Sequence, residues 1–325
     1  MNKIQCMTLI AASAFIAANG YAQPDTAFPV KPIRIIVPSA PGSGPDIMAR
    51  AIGQKLTEYL GQPIVIDDKP GAGGIIGAET AAKSAPDGYT LIMANAGSHA
   101  VNASLYAKLP YDPVRDFAPI TLVAMAPNIL IVHPALPANS VRDLIALAKS
   151  RPGELTFGSG GNGSTAHLSG EMFRTMAGIN IVHIPFKGSP AAVVGVIAGQ
   201  IAMAFPNIPP ALPHVRSGKL KALAVTTAKR SAAVPELPTV AESGLPDYAA
   251  TAWFGLLAPA GTPGAIVAKL NAATVKSVHL RDMQDRLAAE GTEAVGNSPE
   301  QFAQIIKTDI AKWAKVVKAS GAKAE

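Results

Sequence analysis

The chain has 325 residues, with 28 Lys and Arg against 22 Asp and Glu, a formal net charge of +6 at pH 7. Aromatic residues make up 5% of it and do not interleave with basic runs, which argues against nucleic-acid binding. Its single cysteine, Cys6, lies at the N-terminal end, so the rest of the chain has no disulfide, thiol nucleophile or thiolate metal ligand.

Residues 1–22 read as a secretory signal. Lys3 is the charged start, residues 7–18 are an apolar run, and Gly20 and Ala22 are the small residues ahead of a cut before Gln23. The run is too short to span a bilayer, which takes roughly 20 apolar residues. The expectation is export to the periplasm as a soluble protein. The remaining length suits two domains.

Strands are predicted, in chain order, at residues 33–37, 64–66, 89–93, 129–132, 155–157, 181–184, 201–205 and 222–226. Their near-continuous apolar runs suit strands buried on both faces. Between them lie helical patterns: Met48, Ile52, Leu56 and Tyr59 share one face, and Leu168, Met172 and Met176 another. The alternation predicts an α/β fold with parallel sheets. A further strand is predicted at 253–258, followed by a helix entry at Thr262-Pro263. A last helix opens with Ser298 as N-cap, Pro299 at N1 and Gln301 closing a capping box. Its stripe of Phe302, Ile306, Ile310, Trp313 and Val317 predicts a return onto the first domain. Domain 1 is expected to comprise residues 24–124 plus 250–325, and domain 2 residues 125–249.

Two loops carry the chemistry. Each runs from a strand through small residues into a helix. The first holds Ser39, Ala40, Gly42, Ser43, Gly44, Pro45 and Asp46; the second holds Ser159, Gly160, Asn162, Gly163, Ser164 and Thr165. Such a loop gathers backbone N–H groups at the positive end of a helix dipole and can bind a carboxylate without a charged side chain. In α/β sheets ligands lie beyond the carboxyl ends of strands. One loop per domain, facing across a cleft, would clamp an anion from both sides. Ala96 and Ser98, after another strand, are candidates for the same cleft. Lys187 at a strand end could neutralise an anion, and Phe205, Pro206 and Asn207 could form the floor. Ser43-x-x-Asp46 also reads as a capping box.

Enzyme signatures are missing. The six histidines show no H-E-x-x-H spacing, and there is no G-x-S-x-G elbow or P-loop. His167, three residues after Ser164, reads as a capping or packing residue. Asp67-Asp68 reads as a surface pair, because neighbours on a strand point to opposite faces. The run from Gly71 to Gly77 departs from a dinucleotide fingerprint, with Ile76 where the third glycine belongs, and reads as a turn into a helix at the cleft rim. Trp253-Phe254 reads as packing. No catalytic residue, metal or cofactor is expected. The alternatives are a ligand-sensing partner of a membrane signalling receptor and an exported serine hydrolase using Ser159 or Ser164.

Ordered motifs along nearly the whole chain carry a resemblance. They include Lys31-Pro32-Ile33-Arg34, Lys69-Pro70-Gly71-Ala72-Gly73-Gly74, Ala85-Pro86-Asp87-Gly88-Tyr89-Thr90-Leu91, Pro185-Phe186-Lys187-Gly188 and Pro238-Thr239-Val240-Ala241-Glu242. The chain resembles the Bug-type (TctC-like) periplasmic receptors of tripartite tricarboxylate transporters. The resemblance implies a type II periplasmic-binding-protein fold, two α/β domains joined by crossing strands that close like a flytrap. It implies that the loops 39–46 and 158–165 hold one ligand carboxylate, partly through backbone groups and ordered water. It implies a small carboxylate ligand, a membrane permease as partner, and a monomer. Where this chain has Pro206, many relatives carry an acidic residue. Its loss argues against an ammonium-bearing ligand and leaves di- and tricarboxylates or aromatic carboxylates.

Overall fold

The stretch Ile33–Val37, apolar but for Arg34, forms β1, and the helix after its loop is α1 (Gly44–Leu60). The computed structural model describes residues 28–289 and 291–321; the expected secretory signal lies outside them. The first half continues with β2 (Ile64–Asp68), a 3-10 turn (Ala72–Gly74), α2 (Ile75–Ala82), β3 (Thr90–Asn95), a π-helical turn (Gly97–Val101), α3 (Asn102–Leu105) and β4 (Phe117–Pro127). Then come β5 (Ile129–Val132), α4 (Val141–Ser150), β6 (Thr156–Ser159), α5 (Thr165–Ala177), β7 (Val182–Pro185), α6 (Ser189–Ile197), β8 (Met203–Ala204), α7 (Ile208–Arg216) and β9 (Lys221–Val225). The chain ends with β10 (Thr251–Pro259), α8 (Gly264–Val278), α9 (Arg281–Ala289), β11 (Glu293–Ala294) and α10 (Pro299–Ser320).

These strands build two sheets, and each sheet with its helices forms a lobe. The first has the order β11-β4-β10-β3-β1-β2 and the second β7-β6-β8-β5-β9. Neither is purely parallel, contrary to the sequence expectation. The strands β1, β2 and β3 are parallel, as are β6, β7 and β8. By contrast β10 runs antiparallel to both β3 and β4, and β5 antiparallel to β8 and β9. The crossings account for this. The chain passes to the second sheet through β4 and β5 and returns along β10, which lies beside β4 and so must run the other way.

The eleven-residue strand β4 was not predicted. Its proline at 119 and the one that ends it at 127 read as strand breakers, although its centre is apolar and buried. Asn128 alone separates β4 from β5. Its N–H donates to Thr226 Oγ1 (3.0 Å), and Thr226 N–H donates back to its carbonyl (2.9 Å). Thr226 in turn exchanges bonds with Ala250, beside the start of β10. The outgoing and returning crossings are therefore stitched together at one point.

The last helix has the capping box its sequence predicts, with Ser298 and Gln301 bonded reciprocally. Phe302, Ile306, Trp313 and Val317 are buried. The helix packs on β4, as expected of a return to the first lobe, and also reaches α5 of the second.

Candidate functional site

The first loop leaves β1 and enters α1 with Ser43 as N-cap in extended conformation. The predicted capping box does not form. Asp46 Oδ2 accepts instead from the N–H of Gly42, at 2.7 Å. Ser43 Oγ caps nothing; the residue is 3% exposed and the hydroxyl has no hydrogen-bond partner. Asp46 is also held by Arg50 Nε at 2.7 Å, and Arg50 Nη2 donates to Asp68 Oδ2 at 2.9 Å. Asp68 is thus no open surface carboxylate. Burial, then the nearby Asp46 charge, push its pKa up. Asp67 faces Arg34 and Lys69, each at 3.6 Å.

The second loop leaves β6 and enters α5, where Ser164 Oγ accepts from His167 N–H (3.2 Å) as a true N-cap. Ser159 is 1% exposed. Its Oγ accepts from Gly161 N–H (3.1 Å) and lies 2.6 Å from His183 Nε2. The His167 and His183 rings stack with centroids 4.1 Å apart. Burial drives both pKa values down, to about 3 for His167, with further opposition from His183 and Arg174, and to about 4 for His183.

The two loops face each other across a cavity of about 600 Å³. Ser39, Ala40, Ser43 and Pro45 line it from the first lobe, and Gly160, Ser164, Thr165, Lys187 and Asn207 from the second. Gly42, Gly44, Asp46, Asn162 and Gly163 belong to the same loops but do not line it. Against the sequence expectation, Ala96, Ser98, Ser159, Phe205 and Pro206 stand behind the wall, all buried. Ser98 Oγ is turned into its own loop, accepting from Asn95 N–H (3.3 Å) and lying 2.9 Å from His99 Nδ1. Phe205 packs against the rings of Phe157 and Phe173. The Pro206 carbonyl accepts from Ile129 N–H.

The loop that opens with Asn95 was expected at the cleft, and Asn95 does line it, but sequence reasoning did not place Pro38, Phe186, Phe254 or Ser189 in this wall, nor the Pro70–Gly74 stretch beyond the rim. Phe254 comes in from β10 because Gly44 leaves room for its ring; a Cβ on Gly44 would lie 2.6 Å from Phe254 Cζ. Lys187 is the only charged side chain lining the cavity among the described residues. Around the rim the lobes touch through glycines. A Cβ on Gly188 would lie 2.6 Å from Ala40 Cβ, and one on Gly73 would strike the Asn162 carbonyl. Among the described residues no cluster of three or more His, Cys, Asp or Glu could hold a metal, and no helix is long and apolar enough to cross a membrane.

Two lobes on crossing strands, closed over a cavity rimmed by loop–helix turns, define a periplasmic-binding-protein architecture. Known proteins agree. The family model described as tripartite tricarboxylate transporter family receptor matches residues 48–322. Protein BugT of Bordetella pertussis is 40% identical over 326 residues, covering 99% of each chain. An R. palustris protein solved with adipate is 39% identical, with a TM-score of 0.89, over 91% of this chain and 99% of that one. MatC from Rhodopseudomonas palustris, solved with malate, is 34% identical, with a TM-score of 0.85, over 89% of this chain and all of that one. The chain belongs to the family of tripartite tricarboxylate transporter receptors, whose members are periplasmic substrate-binding proteins.

The buried histidines also set an acid limit. His99, fully buried, has its pKa pushed down to about 3 by burial alone. Together with His167 and His183 it stays neutral in the fold and takes up a proton on unfolding. The stability this represents is complete above about pH 6.5 and is lost as pH falls toward 3–4, because the unfolded chain binds the extra protons. At pH 5 each of the three should have cost about 2 kcal/mol relative to neutral pH. Urea unfolding at pH 7.5 and pH 5 checks this; equal midpoints would contradict it.

Proposed function

We propose that the mature protein is a monomeric periplasmic receptor. It closes its two lobes on a small carboxylate and presents the closed form to the membrane permease of a tripartite transporter. One observation carries the ligand class. The N-terminal turns of α1 and α5 meet at one cavity, and on α1 the Ser43 hydroxyl is buried without a partner. Helix N-termini favour anions through free N–H groups and the helix dipole. A ligand carboxylate in the cavity would give Ser43 Oγ the acceptor it lacks. Adipate and malate in the two solved relatives support the same class. No acidic side chain lines the cavity among the described residues, so nothing there would pair with an ammonium group. A purely anionic ligand fits, with Lys187 free to meet a second carboxylate.

Capture follows from the crossings. With domain 1 as residues 24–124 plus 250–325 and domain 2 as 125–249, the lobes turn about Asn128 and the 226–250 return. Closure removes water from around the carboxylate and strengthens its hydrogen bonds. The protein is not a hydrolase in this reading. Ser159 Oγ is buried behind the cavity wall, and Ser164 Oγ meets the His167 backbone N–H with no imidazole or carboxylate among the described residues bonded to it as a base, so neither is an activated nucleophile facing the cavity.

Ser43→Ala separates this from a purely structural role. Removing a partnerless buried hydroxyl should leave the ligand-free protein as stable as before, or about 1 kcal/mol more stable. Affinity for adipate or malate should fall by roughly 10- to 100-fold, the worth of a hydrogen bond to a charged group. Unchanged affinity for both acids, measured by calorimetry, would remove Ser43 from the site.

A further inference from the structure

The second loop is held from behind by a pair of neutral imidazoles. Gly163 N–H is buried in the bend that leads into α5 and donates to His167 Nδ1 at 3.2 Å. An imidazole nitrogen accepts only when it carries no proton, so this bond fixes His167 as the neutral Nε2–H tautomer. Nε2 lies 4.0 Å from Glu171 Oε1 on the next turn of α5. Glu171 Oε2 is held in turn by Arg174, which donates from Nε at 2.9 Å and from Nη2 at 2.7 Å. His183 on β7 covers the imidazole face, and its Nε2 meets Ser159 Oγ, which accepts from Gly161 N–H. From β6, Phe157 adds an apolar ring parallel to His167. The backs of residues 159, 161 and 163 thus rest on two histidines, while Gly160, Gly161, Ser164 and Thr165 face the cavity.

We propose that His167, backed by His183, is a positioning residue of the carboxylate site, whose unprotonated Nδ1 holds the 159–165 loop in shape through Gly163 N–H. The proposal rests on the reading of that loop as a carboxylate cradle. An imidazolium has two donors and no acceptor, so Gly163 N–H loses its partner when His167 takes a proton. The groups that bear on His167 are His183 and Arg174, which oppose the proton, and Glu171, whose other oxygen is committed to Arg174. The neutral form, with Nδ1 open as an acceptor, is therefore the one present throughout the range in which the protein works.

The test is the affinity for adipate and malate at pH 7 in the wild type, His167→Asn and His167→Leu. An Asn carboxamide oxygen can stand where Nδ1 stands and accept from Gly163 without titrating. His167→Asn should bind within about threefold of the wild type at pH 7, and His167→Leu about tenfold or more weakly, because a buried donor is left unsatisfied. Nitrogen NMR of the wild type should show His167 as the Nε2–H tautomer, which keeps the test open if His167→Leu fails to fold. Wild-type affinity in His167→Leu, a His167→Asn variant as weak as His167→Leu, or an Nδ1–H tautomer would overturn the positioning role while leaving the carboxylate site standing. Failure of the wild type to bind any carboxylate overturns the site and this inference with it.

Discussion

Gly188→Val is expected to weaken carboxylate binding by about a hundredfold or more. Gly188 precedes α6 in the second lobe and meets Ala40 of the first-lobe loop; a Cβ there would stand 2.6 Å from Ala40 Cβ. Real side chains do not approach so closely, and both contacting atoms are fixed to backbone, so relief comes only if the lobes part. Gly188 also has φ of +99°, where a β-branched residue is strained by roughly 1–3 kcal/mol. The clash falls on the closed form alone and makes about 3 kcal/mol, which is a hundredfold in affinity, whereas the backbone strain weighs on open and closed forms alike. Small-angle scattering should show the variant remaining expanded when adipate is added. Wild-type affinity in Gly188→Val would mean that the contact plays no part in closure.

Trp253→Ala should cost about 4 kcal/mol of stability. Trp253 lies on β10, is 1% exposed and packs edge-on against Phe302 of α10 with ring centroids 5.4 Å apart. Its indole N–H donates to Asp309 Oδ2 at 2.7 Å, leaving that carboxylate only the longer 3.3 Å bond from Trp313 if it is removed. The substitution therefore opens a cavity beneath the helix that ties the C-terminal region to both lobes. The melting temperature should fall by roughly 6 °C, on the scale expected for a chain of this size. A fall of only a degree or two would show that α10 is not part of the cooperative fold.

Much of this architecture was legible because it rests on local rules. The run that became β5 is apolar throughout and that of β1 is apolar but for Arg34, and Ser298, Pro299 and Gln301 carry the start of α10 in three residues. The loop–helix turns were legible for the same reason. What stayed hidden depended on distant partners. Strand β4 was masked by its prolines, and only its place between β10 and β11 makes it a strand. Ser98 and Ser159 looked like cleft residues by composition, but their hydroxyls found partners inside. Ser159's partner is His183, 24 residues away, brought alongside by the parallel pairing of β6 and β7. Ser43 shows the converse. Its sequence predicts a satisfied cap, and only the geometry of Asp46, pulled back to Gly42, leaves its hydroxyl unpaired.

The central claim is that the cavity between the lobes takes a small carboxylate and that the protein closes on it. Thermal unfolding of the mature chain against a panel of di-, tri- and aromatic carboxylates tests it most directly. A true ligand at a hundred times its dissociation constant adds about 2.7 kcal/mol, a rise of several degrees. The account predicts such a saturable rise with at least one purely anionic acid, and a smaller one with its amino-substituted analogue. A rise produced by a sugar, a cation or an amino acid, with none from any carboxylate, would contradict it.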